Sequence, residues 1–99
     1  MSRRFVVAIQ GIPAPVANAV TKQLQASGLG FWHWMENVWL VTAAPSKGEV
    51  TAKSLSDWLA KTPGVPQGRM LVIRADSDST EHWGIQDLKS WNWFTSEWK

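Results

Sequence analysis

The sequence predicts an α+β fold of the ferredoxin-like kind: a βαββαβ sandwich with a four-stranded antiparallel sheet and two helices on one face. Three observations predict it. Apolar runs of strand period and of helix period follow one another in the order β-α-β-β-α-β, then a tail. Glycine and proline stand at the joints between them. The chain has 99 residues, 44% of them hydrophobic, which suits one globular domain over 1–99, with a core over 3–77 and a tail over 78–99.

Each element has its own reason. "RRFVVAIQG" holds five apolar, largely β-branched residues between arginines and a glycine, so a strand is expected over 4–10, buried on both faces. "IPAPVANAVTKQLQASG" follows. Pro13 and Pro15 suit a helix entry, where a missing N–H costs nothing. Val16, Val20 and Leu24, with Ala19, make one apolar face, and Gly28 can close the helix in a left-handed conformation. "GFWHWMENVWLVTA" then reads as a β-hairpin turning at Glu36-Asn37. Alternation puts Trp32 and Trp34 on one strand face and Phe31, His33 and Met35 on the other.

In "PSKGEVTAKSLSDWLAKTPG", Ser46 and Glu49 have capping-box spacing. Thr51, Leu55, Trp58, Leu59 and Thr62 form an inward stripe, and Pro63-Gly64 ends the helix. "RMLVIRAD" predicts a fourth strand over 69–76, and "SDSTEH" a polar turn. From Gln86 the stripe Leu88, Trp91, Phe94, Trp98 predicts a C-terminal helix, although "WNWFTSEW" also alternates like a strand. In the spatial order 4-1-3-2 the first and third strands are central. The sheet face opposite the two helices is then bare, and the tail helix, a second subunit or a ligand must cover it.

Composition narrows function. With no cysteine, disulfides and thiolate metal sites are excluded. Two N-terminal arginines precede only five apolar residues, too few for a signal core or a membrane span, so a cytoplasmic protein with no membrane partner is expected. The net charge is +2, unevenly spread. Residues 1–74 hold eight basic and three acidic side chains, or +5, and residues 75–99 two basic and five acidic, or −3. A basic body with an acidic tail favours an anionic partner at one end, or is simply an uneven solvated surface.

Several side chains are candidates for chemistry or binding. His33 and His82 each precede a tryptophan. Their spacing is not that of a metal site, and as an acid–base pair they would have to meet in space; the alternative for His33 is a hydrogen-bonded structural role. Eight tryptophans are many for a domain of this size. Trp39 and Trp58 are expected in the core. Trp32, Trp34, Trp83, Trp91 and Trp93 are candidates for a binding surface, either a protein interface or a stacking platform for single-stranded RNA. Arg3, Arg4, Arg69 and Arg74, on neighbouring strands, are candidates for one basic stripe. "GIPAP" lacks the spacing of a phosphate loop. No metal or cofactor site is expected.

"LGFWHWMENVWLV" resembles the signature of the SinR-like family of small bacterial proteins, related in fold to VapD toxins and the small CRISPR-associated endoribonucleases. The resemblance rests on an aromatic-Trp-His-aromatic hairpin (Phe31, Trp32, His33, Trp34) followed by Trp39, Leu40 and Val41. "MLVIRAD" and the Trp83–Phe94 tail are similar to the family's last strand and Trp-rich end. The resemblance implies a ferredoxin-like, often dimeric protein, with nuclease activity in some branches. Active relatives end the first strand in a metal-binding aspartate, where this chain has Gln10-Gly11. An amide lacks the charge that holds Mg²⁺ or Mn²⁺, and no Asp or Glu precedes Glu36. The expectation is therefore a non-catalytic interaction or regulatory protein, a homodimer binding a macromolecule through a Trp-rich surface, in a phage or mobile-element setting. An RNA-binding protein and a VapD-type endoribonuclease are the alternatives.

Overall fold

A computed structural model of the chain describes residues 3–66, 69–75 and 88–98. The elements are β1 (Arg3–Ile9), α1 (Ala14–Ser27), β2 (Gly30–Met35), β3 (Val38–Ala43), a short 3-10 turn (Pro45–Lys47), α2 (Ala52–Leu59), β4 (Met70–Arg74) and α3 (Leu88–Glu97). The sheet is antiparallel throughout, in the order β2-β3-β1-β4, which is the expected 4-1-3-2 order read from the other edge. β1 and β4 are each shorter at their C-terminal ends than the sequence pattern suggests.

The register fixes which side chains share a face. Phe5 stands opposite Val41 and Arg74, and Val7 opposite Trp39 and Val72. Phe5, Val7, Ile9, Trp39, Val41 and Ala43 thus pack with Ala17, Val20 and Leu24 of α1 and with Leu55 and Leu59 of α2 in one core. Each fully buried Val, Leu, Ile or Phe contributes about 1.5–3 kcal/mol, so this cluster is the main source of stability. In α1 the buried stripe uses Ala17 rather than Val16, which is half-buried.

Local chemistry explains the helix ends. Pro13 is the N-cap of α1, and Gly28 closes it at φ 75, its N–H bonded to the Gln25 carbonyl, as the sequence predicts. The entry to α2 differs. Ser46 lies in the 3-10 turn and Glu49 in the loop after it, and neither caps the helix. The capping box is Thr51 with Ser54: each side chain satisfies the other's backbone N–H, at 3.0 and 2.9 Å. Pro45 makes the 3-10 turn a separate unit that closes on Gly48, so the chain re-enters helix only at Thr51.

The hairpin holds a β-bulge. His33 pairs with Trp39 and Met35 with Val38, two steps on β2 against one on β3, so Trp34 is the inserted residue. Met35 therefore leaves the face shared by Phe31 and His33, contrary to strict alternation, and is 52% exposed.

Candidate interaction surface

The second face of the sheet carries Arg4, Val6 and Ala8 of β1, Val38, Leu40 and Thr42 of β3, Trp32 of β2, and Leu71 and Ile73 of β4. These are the positions that alternate with the core residues in the register. α3 covers the β2 side of this face. Trp32 donates its indole N–H to the Ser90 hydroxyl at 2.8 Å and stacks on Trp93, with ring centroids 6.2 Å apart. Trp34 meets Trp91 edge-on and Phe94 at a tilt, both at 5.7 Å. Phe94 stacks in turn on Trp98, and the Arg4 guanidinium lies 5.5 Å from the Trp98 ring centroid, within cation–π range. The tail helix is thus one of the three covers that the fold required.

Its inward face differs from the predicted stripe. Ser90 and Phe94 are the buried residues of α3, and Leu88 is 75% exposed. At 100° per residue Leu88 sits about 120° round the helix from Phe94, while Ser90 lies near it. The serine is inward because it accepts the Trp32 N–H, a role that hydropathy does not reveal.

Four sequence candidates therefore meet in pairs: Trp32 with Trp93 and Trp34 with Trp91 form a single aromatic layer between sheet and α3, each ring half-buried. Trp83 and His82 lie outside the described residues, as do Asp76, Asp78 and Glu81. The four arginines are divided. Arg3 donates to the Val50 carbonyl at 2.7 Å and lies 3.4 Å from the Glu49 carboxylate. Arg4 is on the α3 side, and Arg74, opposite Phe5, belongs to the register of the helix face. Arg69 is at the other end of β4, beside Gln10, whose N–H bonds to the Arg69 carbonyl at 2.8 Å.

His33 is held structurally. Its ring stacks flat on Trp39, centroids 4.4 Å apart and planes 6° from parallel. Its Nε2 is 2.8 Å from the Glu36 carbonyl oxygen; a carbonyl only accepts, so Nε2 carries the proton. The imidazole thereby ties the hairpin turn to the strand. Trp39 itself is fully buried and donates to the Thr21 hydroxyl at 3.1 Å. Among the described residues no group of three His, Asp or Glu side chains is placed to hold a metal ion, and no helix is long and apolar enough to cross a membrane.

α3 leaves the β4 side of the second face open. Leu71 is 58% and Ile73 50% exposed. β4 pairs with β1 on one side and, among the described residues, with no strand on the other. At the start of β4, Ala8, Gln10, Asn37, Arg69, Met70 and Leu71 line a cleft of about 300 Å³. Leu71 and Ile73 escaped selection from sequence because "MLVIR" is an unbroken apolar run, which marks a strand without marking which of its faces is open. Combining its alternation with its edge position would have found them.

A scan of protein-family models, a search of curated proteins and a search of solved structures each return no match to this chain.

Proposed function

We propose that this protein is a non-catalytic interaction module that binds another macromolecule on the β4 side of its sheet. The observation that carries this reading is the contrast within one sheet face. Trp32 and Trp34 are enclosed by α3, while Leu71 and Ile73, on the same face, stay half-exposed or more on an edge strand. An apolar edge strand left open is a template for pairing, and proteins normally protect such edges. The Trp-rich layer then serves the surface indirectly, by fixing α3 over the other half of the face. Self-association and RNA binding are the competing uses of the same protein.

The test is site-specific photo-crosslinking in the native cell. A photo-reactive amino acid replaces Leu71 in one strain and the exposed Lys22 of α1 in another. An adduct specific to position 71, of protein mass and insensitive to nuclease, is the expected result. No adduct above that at position 22 rejects the reading. Mass separates a second copy of the chain from a different partner, and nuclease sensitivity identifies RNA.

A further inference from the structure

We infer that the open edge of β4 docks an extended peptide that carries a carboxylate next to alternating apolar residues, and that the peptide joins the sheet as an added strand. This rests on the reading of the protein as an interaction module and names its partner's chemistry.

Two features of β4 define such a ligand. Leu71 and Ile73 project from the same face two residues apart and are both largely exposed. An extended peptide paired beside them presents its own alternate side chains at the same period. Arg69, one step of the same period before Leu71, ends this row. Its Nη1 lies 3.7 Å from the position a side-chain carbon would take at Gly11, so the guanidinium rests over the β1 turn. The backbone bonds from Gln10 to the Arg69 carbonyl and from Ile9 to the Asn37 carbonyl, 2.8 and 2.9 Å, bring Gln10 and Asn37 to the same cleft. Among the described residues no acidic side chain lines that cleft. The guanidinium fork of Arg69 matches a carboxylate, whose oxygens accept two parallel N–H bonds. A side-chain carboxylate and a chain-terminal one supply the same group.

A second copy of β4 does not supply the group this edge selects. Antiparallel pairing of β4 with itself about Val72 sets Arg69 opposite Ala75 of the other copy, and residues 69–75 hold no carboxylate to meet the guanidinium. A single strand of nucleic acid would satisfy Arg69 but needs aromatic faces for its bases. The row beside Arg69 is aliphatic, while Trp32 stacks on Trp93 and Trp34 meets Trp91 edge-on within the α3 layer.

The experiment is fluorescence polarisation with labelled peptide pools of about six residues, enough to span β4 at its strand rise. The pools alternate threonine with degenerate apolar residues and are capped at both ends. Aspartate or lysine occupies the first position in one pair of pools and the last in another, so either strand direction is sampled. The aspartate pools should bind at least about tenfold more tightly than the lysine pools, a difference of about 1.4 kcal/mol. Arg69→Glu should invert that preference, and Leu71→Asp should weaken binding by a similar factor. A central proline in the peptide should abolish it, because the added strand loses a ladder N–H. Both substituted positions are exposed, and circular dichroism checks that each variant stays folded. Equal binding of the aspartate and lysine pools, no inversion by Arg69→Glu, or no binding at about 1 mM peptide overturns the inference. So does displacement of the peptide by oligouridylate at equal concentration, or a dimer by light scattering that Leu71→Asp dissociates. A position-71 crosslink to protein in cells together with failure of the peptides leaves the interaction reading standing and removes only this one.

Discussion

Trp32 of β2 and Ser90 of α3 are 58 residues apart in the chain and joined by a 2.8 Å hydrogen bond, indole N–H to hydroxyl. It is a polar fixing point in a largely aromatic contact, and it turns the Ser90 side of α3 to the sheet. α3 has ten residues, near the length at which an isolated helix is marginal in water. Thr95 and Ser96 also turn their hydroxyls back to the carbonyls of Trp91 and Asn92, which mildly weakens a helix. Docking therefore holds α3 helical.

Ser90→Ala is expected to cost about 1–3 kcal/mol, because the Trp32 N–H loses its partner in the contact layer. Trp32→Phe in the Ser90→Ala background should cost less than the sum of the two single changes, with a coupling of about 0.5–1.5 kcal/mol. Urea denaturation of the four proteins checks this, and additive losses would show that the bond does not fix α3.

Trp39→Ala should be the most damaging single change in the hairpin, at about 3–5 kcal/mol. The ring is fully buried, bonded to Thr21 and stacked under His33. Thr21→Val should cost about 1–3 kcal/mol by stranding the indole N–H. A Trp39→Ala variant that melts within a few degrees of the parent would contradict this packing.

Thr62 is 3% exposed and, among the described residues, its hydroxyl oxygen has no hydrogen-bond partner. Leaving a buried hydroxyl unpaired is unfavourable by about 1–3 kcal/mol, so Thr62→Val, which keeps the shape, is expected to be neutral or stabilising by about 1 kcal/mol. The denaturation midpoint measures it. A clear loss of stability would show that the hydroxyl has a partner.

Gly48 and Gly64 both have positive φ, 78 and 90, but different surroundings. Among the described residues a methyl at Gly48 meets nothing within 4 Å, whereas one at Gly64 would lie 2.6 Å from Val16 Cγ2. Gly48→Ala should therefore cost only backbone strain, about 1–3 kcal/mol, because φ 78 with ψ −158 is a conformation kept almost wholly for glycine, and Gly64→Ala should carry the clash with Val16 as well. Adding Val16→Ala should recover part of the excess at position 64 and nothing at position 48. No recovery at position 64 on adding Val16→Ala would rule out the close approach to Val16.

The sequence by itself determined the element order, the four strands and the central places of β1 and β3. These follow from apolar period and punctuation, which are local. It also pointed to Trp39 as core, since a large apolar residue on a central strand packs against one sheet face. β1 shows that a central strand here is fully buried on one face only, with Phe5, Val7 and Ile9 buried and the residues between them half-buried. It did not determine the α2 cap, because Ser46-Glu49 and Thr51-Ser54 both have the spacing and only the 3-10 turn at Pro45 decides between them. Nor did it determine the bulge at Trp34, which depends on how His33 settles over Trp39. The tertiary structure alone decided what the tryptophans do. Trp32 and Trp34 need partners from α3, far away in the chain, and a polar serine completes the contact. Once α3 lies over β2, the open part of the sheet is β4, and Leu71, Ile73, Arg69, Gln10 and Asn37 become one surface. Their adjacency comes from strand pairing between distant segments, and no local pattern encodes it.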